Sequence, residues 1–139
     1  MVSNKNKFFI KKEKEWEKEA YEKANIYSDI CKVNEMFIKD LINVNKDFRS
    51  SVGQKVCIMF SEAVRFFKKG YMTEDNNEKI IEWTNCLKII EDISCQLKFM
   101  SAIRLSFNYG LYYVDIGNIE RQLNFLIKAK QKLMDKEEK

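Results

Sequence analysis

The stretch that decides the fold of this chain is Phe48–Gly70, which reads FRSSVGQKVCIMFSEAVRFFKKG. Its apolar side chains recur every three or four residues, the spacing of one face of an α-helix. That stripe consists of Val52, Val56, Met59, Ala63 and Phe66, widened by Phe60 and Phe67. Ser51 and Gln54 fit a capping box at the start of the helix, and Gly70 fits the C′ position that follows its last residue. The stretch therefore predicts an amphipathic helix that buries one face.

The rest of the chain has the same character. It contains no proline and only four glycines in 139 residues, which favours long uninterrupted helices. Apolar stripes with spacings of three, four or, once, seven residues comprise Ile26, Ile30, Val33, Phe37, Leu41 and Val44, then Ile80, Trp83, Leu87, Ile90, Ile93, Leu97, Met100 and Ile103, and finally Ile116, Ile119, Leu123, Leu126 and Leu133. We expect helices over about 20–45, 51–69, 74–108 and 112–135, with Thr73 capping the third.

Four stripes joined by short loops predict an all-α fold, an antiparallel up-down-up-down four-helix bundle over residues 20–139. Residues 1–19 alternate lysine and glutamate and are expected to form a charged helical extension. Two interpretations of its Phe8, Phe9 and Trp16 stay open. They anchor a neighbouring subunit, or they cover one end of the bundle.

Composition excludes many kinds of chemistry. The chain has no histidine, which removes histidine-based triads and the commonest zinc ligand. The four cysteines, Cys31, Cys57, Cys86 and Cys95, form no CxxC pair, so we expect reduced, mostly buried thiols in a cytoplasmic protein. The glycines are isolated and form no phosphate loop, and the uncharged run 105–114 is too short to span a bilayer. We predict no enzymatic activity, no catalytic residues, no metal, no cofactor and no membrane association.

Charge is distributed unevenly along the chain. Residues 1–70 carry 15 basic and 10 acidic side chains, whereas residues 71–139 carry 10 and 11. Arg65, Lys68 and Lys69 lie three to four residues apart, so they can contact successive phosphates from one helix face. The alternative is that Lys68 and Lys69 only complement the negative end of the helix dipole.

Aromatic residues cluster at the predicted third loop, namely Phe107, Tyr109, Tyr112 and Tyr113. Together with Arg104 and Arg121 they can stack on nucleic-acid bases, as in single-strand-binding proteins. More commonly, such tyrosines close the end of a bundle and keep their hydroxyls in water. Both interpretations stay open.

A longer pattern over residues 24–130 suggests a family. It comprises Lys46, Phe48, Arg49, Ser51, Gly53 and Lys55, the acid-marked loop Thr73–Asn77, the alternation Leu87–Ile90–Ile93–Leu97–Arg104–Leu105, and Ile119, Arg121, Gln122, Leu123 and Lys128 in the last helix. In these positions the chain resembles the Avd accessory proteins of diversity-generating retroelements. That four-helix-bundle family is related to proteins encoded in intervening sequences of bacterial large-subunit ribosomal RNA genes.

The resemblance implies a homopentamer whose basic surface binds a reverse transcriptase together with RNA or DNA. Such a protein does no chemistry itself and supports mutagenic complementary-DNA synthesis by its partner. The candidate contacts are Arg49, Lys55, Arg65, Lys68, Lys69, Arg121 and Lys128. The alternative function is a structural, oligomerising four-helix scaffold that binds a protein partner without nucleic acid. A carboxylate or cysteine enzyme is the least favoured third hypothesis.

Overall fold

The computed structural model of the protein describes residues 18–103 and 107–137. About 90% of these residues are helical and none of them lies in a β-strand, which confirms the predicted all-α class. The four long helices are α1 (Asn25–Asp40), α2 (Gln54–Met72), α3 (Asn76–Ala102) and α4 (Tyr113–Glu137). The predicted extension over residues 1–19, apart from its last two residues, lies outside the described residues, as does Arg104.

Short helical segments connect the long helices. They are the 3₁₀ turns Ala20–Lys23, Leu41–Asn43 and Tyr109–Leu111, the α-turn Lys46–Phe48 and the π-turn Arg49–Gly53. The last two run directly into α2, so the backbone is helical from Lys46 to Met72. None of the described helices is both long enough and apolar enough to cross a membrane.

The start of the second helical stretch differs from the prediction. Asn45 is its N-cap, because its Oδ1 atom accepts a hydrogen bond of 2.9 Å from the backbone N–H of Asp47. Ser51 lies inside the helical stretch, where its hydroxyl donates to the carbonyl of Asp47 at 2.8 Å. The predicted capping box at Ser51 and Gln54 is therefore wrong, because an asparagine six residues earlier caps the chain first.

The predicted cap of the third helix is also displaced. Asp75, not Thr73, is the N-cap of α3, and its Oδ1 atom accepts from the backbone N–H of Asn77 at 2.9 Å. The Thr73 hydroxyl instead contacts the Glu78 carboxylate at 2.8 Å. An Asx cap two residues later leaves only residues 73–75 between α2 and α3.

Gly70 does not end α2, which continues to Met72. It is buried, and a Cβ atom at this position would lie 2.4 Å from Nε1 of Trp83 in α3. The Trp83 indole N–H in turn donates to the carbonyl of Phe67 at 3.3 Å. The glycine thus serves close packing of two helices instead of the predicted C′ turn, because only a residue without a side chain leaves room for the indole.

The core follows the predicted stripes with small shifts in their centres. In α2 the fully buried aromatic residues are Phe60 and Phe67, whereas Met59 and Phe66 are half-buried. In α4 Ile127 is buried, Leu126 is half-buried and Leu133 is exposed. The core comprises Ile26, Ile30, Val33, Phe37, Val44, Val56, Phe60, Ala63, Phe67, Trp83, Cys86, Ile90, Ile93, Leu97, Met100, Phe107, Tyr112, Ile116, Ile119, Leu123 and Ile127.

The helices contact one another in a closed order. α2 packs on α3, α3 on α4, and α1 contacts both α2 and α4. In the described helices no Cα atom of α2 comes within 8 Å of one in α4, and the same is true of α1 and α3. The outward faces of α2 and α4 therefore belong to different sides of the molecule.

Candidate nucleic-acid interface

The predicted cations of α2 lie on its outward face. Because the helix buries Val56, Phe60, Ala63, Phe67 and Gly70 on one side, the positions opposite them are solvent-facing. The exposed cations, which we call the α2 surface, are Lys55, Arg65, Lys68 and Lys69. Arg49 is half-buried in the π-turn that precedes α2.

Two cations of the α2 surface share one aromatic ring. The Arg65 guanidinium carbon lies 4.6 Å from the centroid of Phe66, and the Lys69 ammonium lies 5.7 Å from the same centroid. Cation–π contacts at exposed sites contribute about 0.5–1 kcal/mol each. Both side chains are therefore held against α2, and the faces of Phe66 are already in use.

Lys68 also makes contacts within the chain. Its ammonium lies 3.9 Å from a carboxylate oxygen of Glu19 and 5.2 Å from the ring centroid of Tyr21. Both partners come from the turn that precedes α1, so Lys68 links that segment to α2. An exposed ion pair of this kind contributes about 0–1 kcal/mol.

The groove beside Lys69 is poorly suited to an anion. This open groove of about 590 Å³ lies where α2 turns into α3 and is also lined by the carboxylates of Glu78 and Glu82. One carboxylate oxygen of Glu82 is buried and, among the described residues, accepts no hydrogen bond. Repulsion between these carboxylates and phosphate opposes nucleic-acid binding in the groove itself.

The two remaining predicted residues lie on α4. Arg121 and Lys128 are exposed, on the side opposite the buried Ile119, Leu123 and Ile127. Arg121 donates a hydrogen bond to the Asn118 side chain one turn earlier. Since α2 and α4 are not neighbours, the structure divides six of the seven predicted residues between two separate surfaces, and the half-buried Arg49 belongs to neither.

Three further exposed residues lie beside Arg121 and Lys128 on α4 and were not among the predicted contacts. Phe125, Lys132 and Lys136 are exposed on the same side of α4 as Arg121 and Lys128. The sequence signal was present, because positions 121, 125, 128, 132 and 136 follow the spacing of one helix face. The prediction for α4 used only its apolar stripe, so it did not include Phe125, Lys132 and Lys136. We call these five residues the α4 face.

The aromatic cluster at the start of α4 is mostly structural. Tyr112 is fully buried, its hydroxyl donates to Oδ2 of Asp40, and its ring stacks on Phe107 with centroids 5.0 Å apart. The Tyr109 hydroxyl lies 2.7 Å from the Ser94 hydroxyl. The base-stacking interpretation is therefore wrong for Phe107 and Tyr112. These residues instead pack at the end of the bundle, as in the second interpretation. The hydroxyls of Tyr109 and Tyr112, however, bond to protein atoms instead of water.

The cysteines are less buried than predicted. Cys86 is buried and Cys57 half-buried, but Cys31 and Cys95 are exposed, because they fall outside the apolar stripes of α1 and α3. Burial raises the pKa of the Cys86 thiol to about 12 and raises the pKa of Cys57 as well. These two thiols are protonated at neutral pH, so they are poor nucleophiles. Within residues 18–103 and 107–137, no three Asp, Glu or Cys side chains are close enough together to hold a metal ion.

The site is thus a pair of basic surfaces on a helical framework, one of which also presents an aromatic side chain. Comparisons with protein-family models, with curated proteins and with solved structures find no match for this chain.

Proposed function

We propose that this protein is a non-enzymatic accessory subunit that oligomerises and binds nucleic acid together with a reverse transcriptase. In this role it supports mutagenic complementary-DNA synthesis in a diversity-generating retroelement. The observation that carries the proposal is the presence of two exposed basic surfaces, on α2 and on α4, which include Lys55, Arg121 and Lys128 of the family pattern. A pentameric state is proposed from the same resemblance, and a cytoplasmic location is proposed from the free cysteines.

The antiparallel up-down-up-down arrangement belongs to the proposal. It is supported by the order of the contacts between helices. Trp83 lies against Phe67 and Lys79 against Gly70, so residue numbers rise in α2 as they fall in α3. Gln122 lies against Asp29 and Tyr112 against Asp40, so residue numbers also run in opposite directions along α1 and α4.

Binding to phosphates is supported by charge and predicts a strong dependence on salt. Contacts from exposed lysine and arginine release counterions from the nucleic acid, so affinity falls steeply as salt is added. Phosphates carry no base information, hence we expect little preference among sequences. Binding of a labelled RNA across a series of salt concentrations tests this, and a chain that shows no salt-dependent binding contradicts it.

Assembly is tested separately by light scattering coupled to size exclusion. A pentamer is expected, and a monomer at micromolar concentration would contradict the oligomeric part of the proposal. A reverse-transcriptase gene beside the gene for this protein would support the choice of partner. Co-purification of that enzyme with the accessory chain is the direct test.

The alternative function is an oligomerising scaffold for a protein partner, without nucleic acid. It is favoured by large apolar side chains that are exposed on several helices, among them Ile42 on the turn after α1, Ile58 on α2 and Ile81 on α3. Changing Arg65, Lys68 and Lys69 together to glutamate separates the two functions. Unaltered partner binding after this change favours the scaffold.

A further inference from the structure

The α4 face is basic over most of its length, and the exposed Asp135 lies beside it only at its C-terminal end, between Lys132 and Lys136. No acidic residue occurs between Arg121 and Met134, and each exposed charged side chain in that span is a cation. Arg121, Lys128, Lys132 and Lys136 follow one another at intervals of seven, four and four residues. At 1.5 Å per residue these four cations extend over about 22 Å. Such a row suits a linear polyanion lying along the helix.

Among the described residues, the three lysines of the α4 face are free, unlike three of the four cations of the α2 surface. In the part of the chain that the structure describes, Lys128, Lys132 and Lys136 form no ion pair, and none of them lies over an aromatic ring. On α2, by contrast, Arg65, Lys68 and Lys69 all contact aromatic rings of the chain. A ligand at α4 therefore displaces fewer existing contacts.

An exposed aromatic ring interrupts the row of cations. Phe125 is 73% exposed and lies four residues after Arg121 and three before Lys128, hence between the two on one face. Phenylalanine is among the residues most often buried, so this degree of exposure within a charged face is unusual. Among the described residues, no cation covers the ring of Phe125, whereas the ring of Phe66 on α2 lies under two cations.

An apolar groove adjoins this ring. It has a volume of about 280 Å³, runs between α1 and α4, and is lined by Ile26, Arg121, Gln122, Phe125 and Leu126. This volume is near the lower limit for small-molecule sites, so the groove suits one small planar group better than a large ligand. An exposed aromatic ring with a guanidinium beside it suits an unpaired base, because bases stack on aromatic side chains and on arginine.

We propose that the α4 face binds single-stranded nucleic acid, with its cations on successive phosphates and Phe125 stacked on an unpaired base at the groove. This inference rests on the proposed function, in that the protein binds nucleic acid, and adds which surface binds and which form of nucleic acid. Unpaired bases present their faces to aromatic side chains, whereas in a duplex those faces are covered by neighbouring pairs. The lysines alone would serve either form, and the exposed ring selects the single strand.

Fluorescence anisotropy tests the proposal with full-length protein, a labelled uridine 20-mer and a labelled duplex of equal length. Phe125→Ala is expected to weaken single-strand binding about tenfold or more, because one stacked base is lost, and to leave duplex binding unchanged. The salt dependence should keep its slope in this variant, since no phosphate contact is removed. Phe125→Trp should preserve binding and Phe125→Leu should not, because stacking requires an aromatic ring.

The cations are tested by the triple variant Lys128→Gln, Lys132→Gln and Lys136→Gln. It should weaken single-strand binding at least tenfold and reduce the slope of log affinity against log salt by about 2, since each phosphate contact on a single strand contributes about 0.7. The matched control is Arg65→Gln, Lys68→Gln and Lys69→Gln on α2, which removes the same charge from the other surface and should have a smaller effect. Circular dichroism and the midpoint of thermal unfolding check that each variant is folded.

Several outcomes would overturn the inference. It fails if Phe125→Ala weakens single-strand and duplex binding equally, or if the α2 triple variant loses binding while the α4 triple variant keeps it. It also fails if Phe125→Ala leaves single-strand binding intact but abolishes capture of a protein partner, because the face then belongs to that protein. If the unaltered chain binds neither probe, the proposed function fails along with the inference. By contrast, binding that persists in the α4 triple variant overturns the inference and leaves the proposed function in place.

Discussion

The interface between α2 and α3 is closed by a glycine against a tryptophan, whereas the interface between α1 and α4 is closed by hydrogen bonds between side chains. At the first, Gly70 faces the Trp83 indole and Phe67 stacks beside it with ring centroids 6.5 Å apart. At the second, Gln122 donates to Asp29 at 2.8 Å and Tyr112 donates to Asp40. One interface depends on shape and the other on polar pairing.

The two kinds of interface differ in what damages them. A close-packed apolar interface resists added volume, because its neighbours have no room to move. A partly buried polar interface resists the loss of a partner, because the remaining group stays desolvated without a hydrogen bond. We therefore expect the α2–α3 interface to be sensitive to an added methyl group and the α1–α4 interface to the removal of an oxygen atom.

The largest effect is expected from Gly70→Ala in the α2–α3 interface. The new Cβ would meet Trp83 Nε1 at 2.4 Å and Cδ1 at 2.5 Å, so the indole must move and lose its hydrogen bond to Phe67. We expect the free energy of unfolding to fall by about 3 kcal/mol, at the upper end of overpacking costs. Urea unfolding followed by circular dichroism measures it.

Gly117→Ala is the matched control for this change. A Cβ there would come no closer than 3.5 Å to the guanidinium of Arg121, so the helix gains propensity without a clash. Stability should rise by about 0.5–1 kcal/mol. Equal effects at the two glycines would contradict the close packing inferred for Gly70.

Removal of the Tyr112 hydroxyl tests the α1–α4 interface. Tyr112→Phe leaves the Asp40 carboxylate without its donor, and a hydrogen bond to a charged group contributes about 1.5–3 kcal/mol. We expect a loss of about 2 kcal/mol in urea unfolding. Tyr113→Phe at the neighbouring position, where the side chain is 65% exposed, should change stability by less than about 0.5 kcal/mol. If both variants behave alike, the polar pairing does not hold the interface.

Alkaline pH is expected to lower the free energy of unfolding through the buried thiol of Cys86. Burial raises the pKa of Cys86 from 9.0 to about 12, so the folded chain keeps its proton where the unfolded chain releases it. The stabilisation is complete below pH 9 and is lost as pH rises towards 12, at about 1.4 kcal/mol per pH unit. Burial, and then the Asp40 carboxylate, raise the pKa of Tyr112 too, but this hydroxyl contributes only above pH 10.

The measurement is the free energy of unfolding at pH 8 and pH 10 in the unaltered chain and in Cys86→Ala. The loss between the two pH values should be smaller in the variant by about 1.4 kcal/mol. A pH dependence that is the same in Cys86→Ala would refute the assignment.

The smallest effect is expected at the second hydrogen bond of the α1–α4 interface. Gln122→Met retains the size of the side chain and removes the donor to Asp29, which is half-buried and lies near solvent. We expect a loss of about 1 kcal/mol, typical of one such hydrogen bond. A double-mutant cycle with Asp29→Ala, which removes the acceptor, measures the coupling, and a coupling of zero would show that the pair is only adjacent.

The helices could be predicted from the sequence because each buries a regular stripe that no proline interrupts. Their ends could not, because several residues near each end are acceptable caps. Asn45 and Ser51 both suit an N-cap, and the hydrogen bond from the Asp47 N–H to Asn45 shows that the helical turns begin before Ser51. Gly70 illustrates the same problem, since a glycine after two lysines fits a C-cap as well as a close helix contact.

The candidate site was predictable in kind and less so in place. Exposed cations on α2 follow from the buried stripe, but the contact of Lys68 with Glu19 joins residues 49 positions apart in the sequence and depends on tertiary packing. The separation of Arg121 from Arg65 likewise depends on the order in which the helices pack. The row of cations on α4 could have been read from its spacing alone.

The position of Trp83 has a practical consequence for optical spectroscopy. Its indole is buried between α2 and α3, with the Lys79 ammonium 5.4 Å from the ring centroid. The chain has one other tryptophan, Trp16, so a Trp16→Phe variant would emit from a single indole inside the molecule. The emission wavelength of that variant would report when water reaches the interface between α2 and α3. Stopped-flow fluorescence could then measure the rate at which this interface opens, independently of the remaining helices.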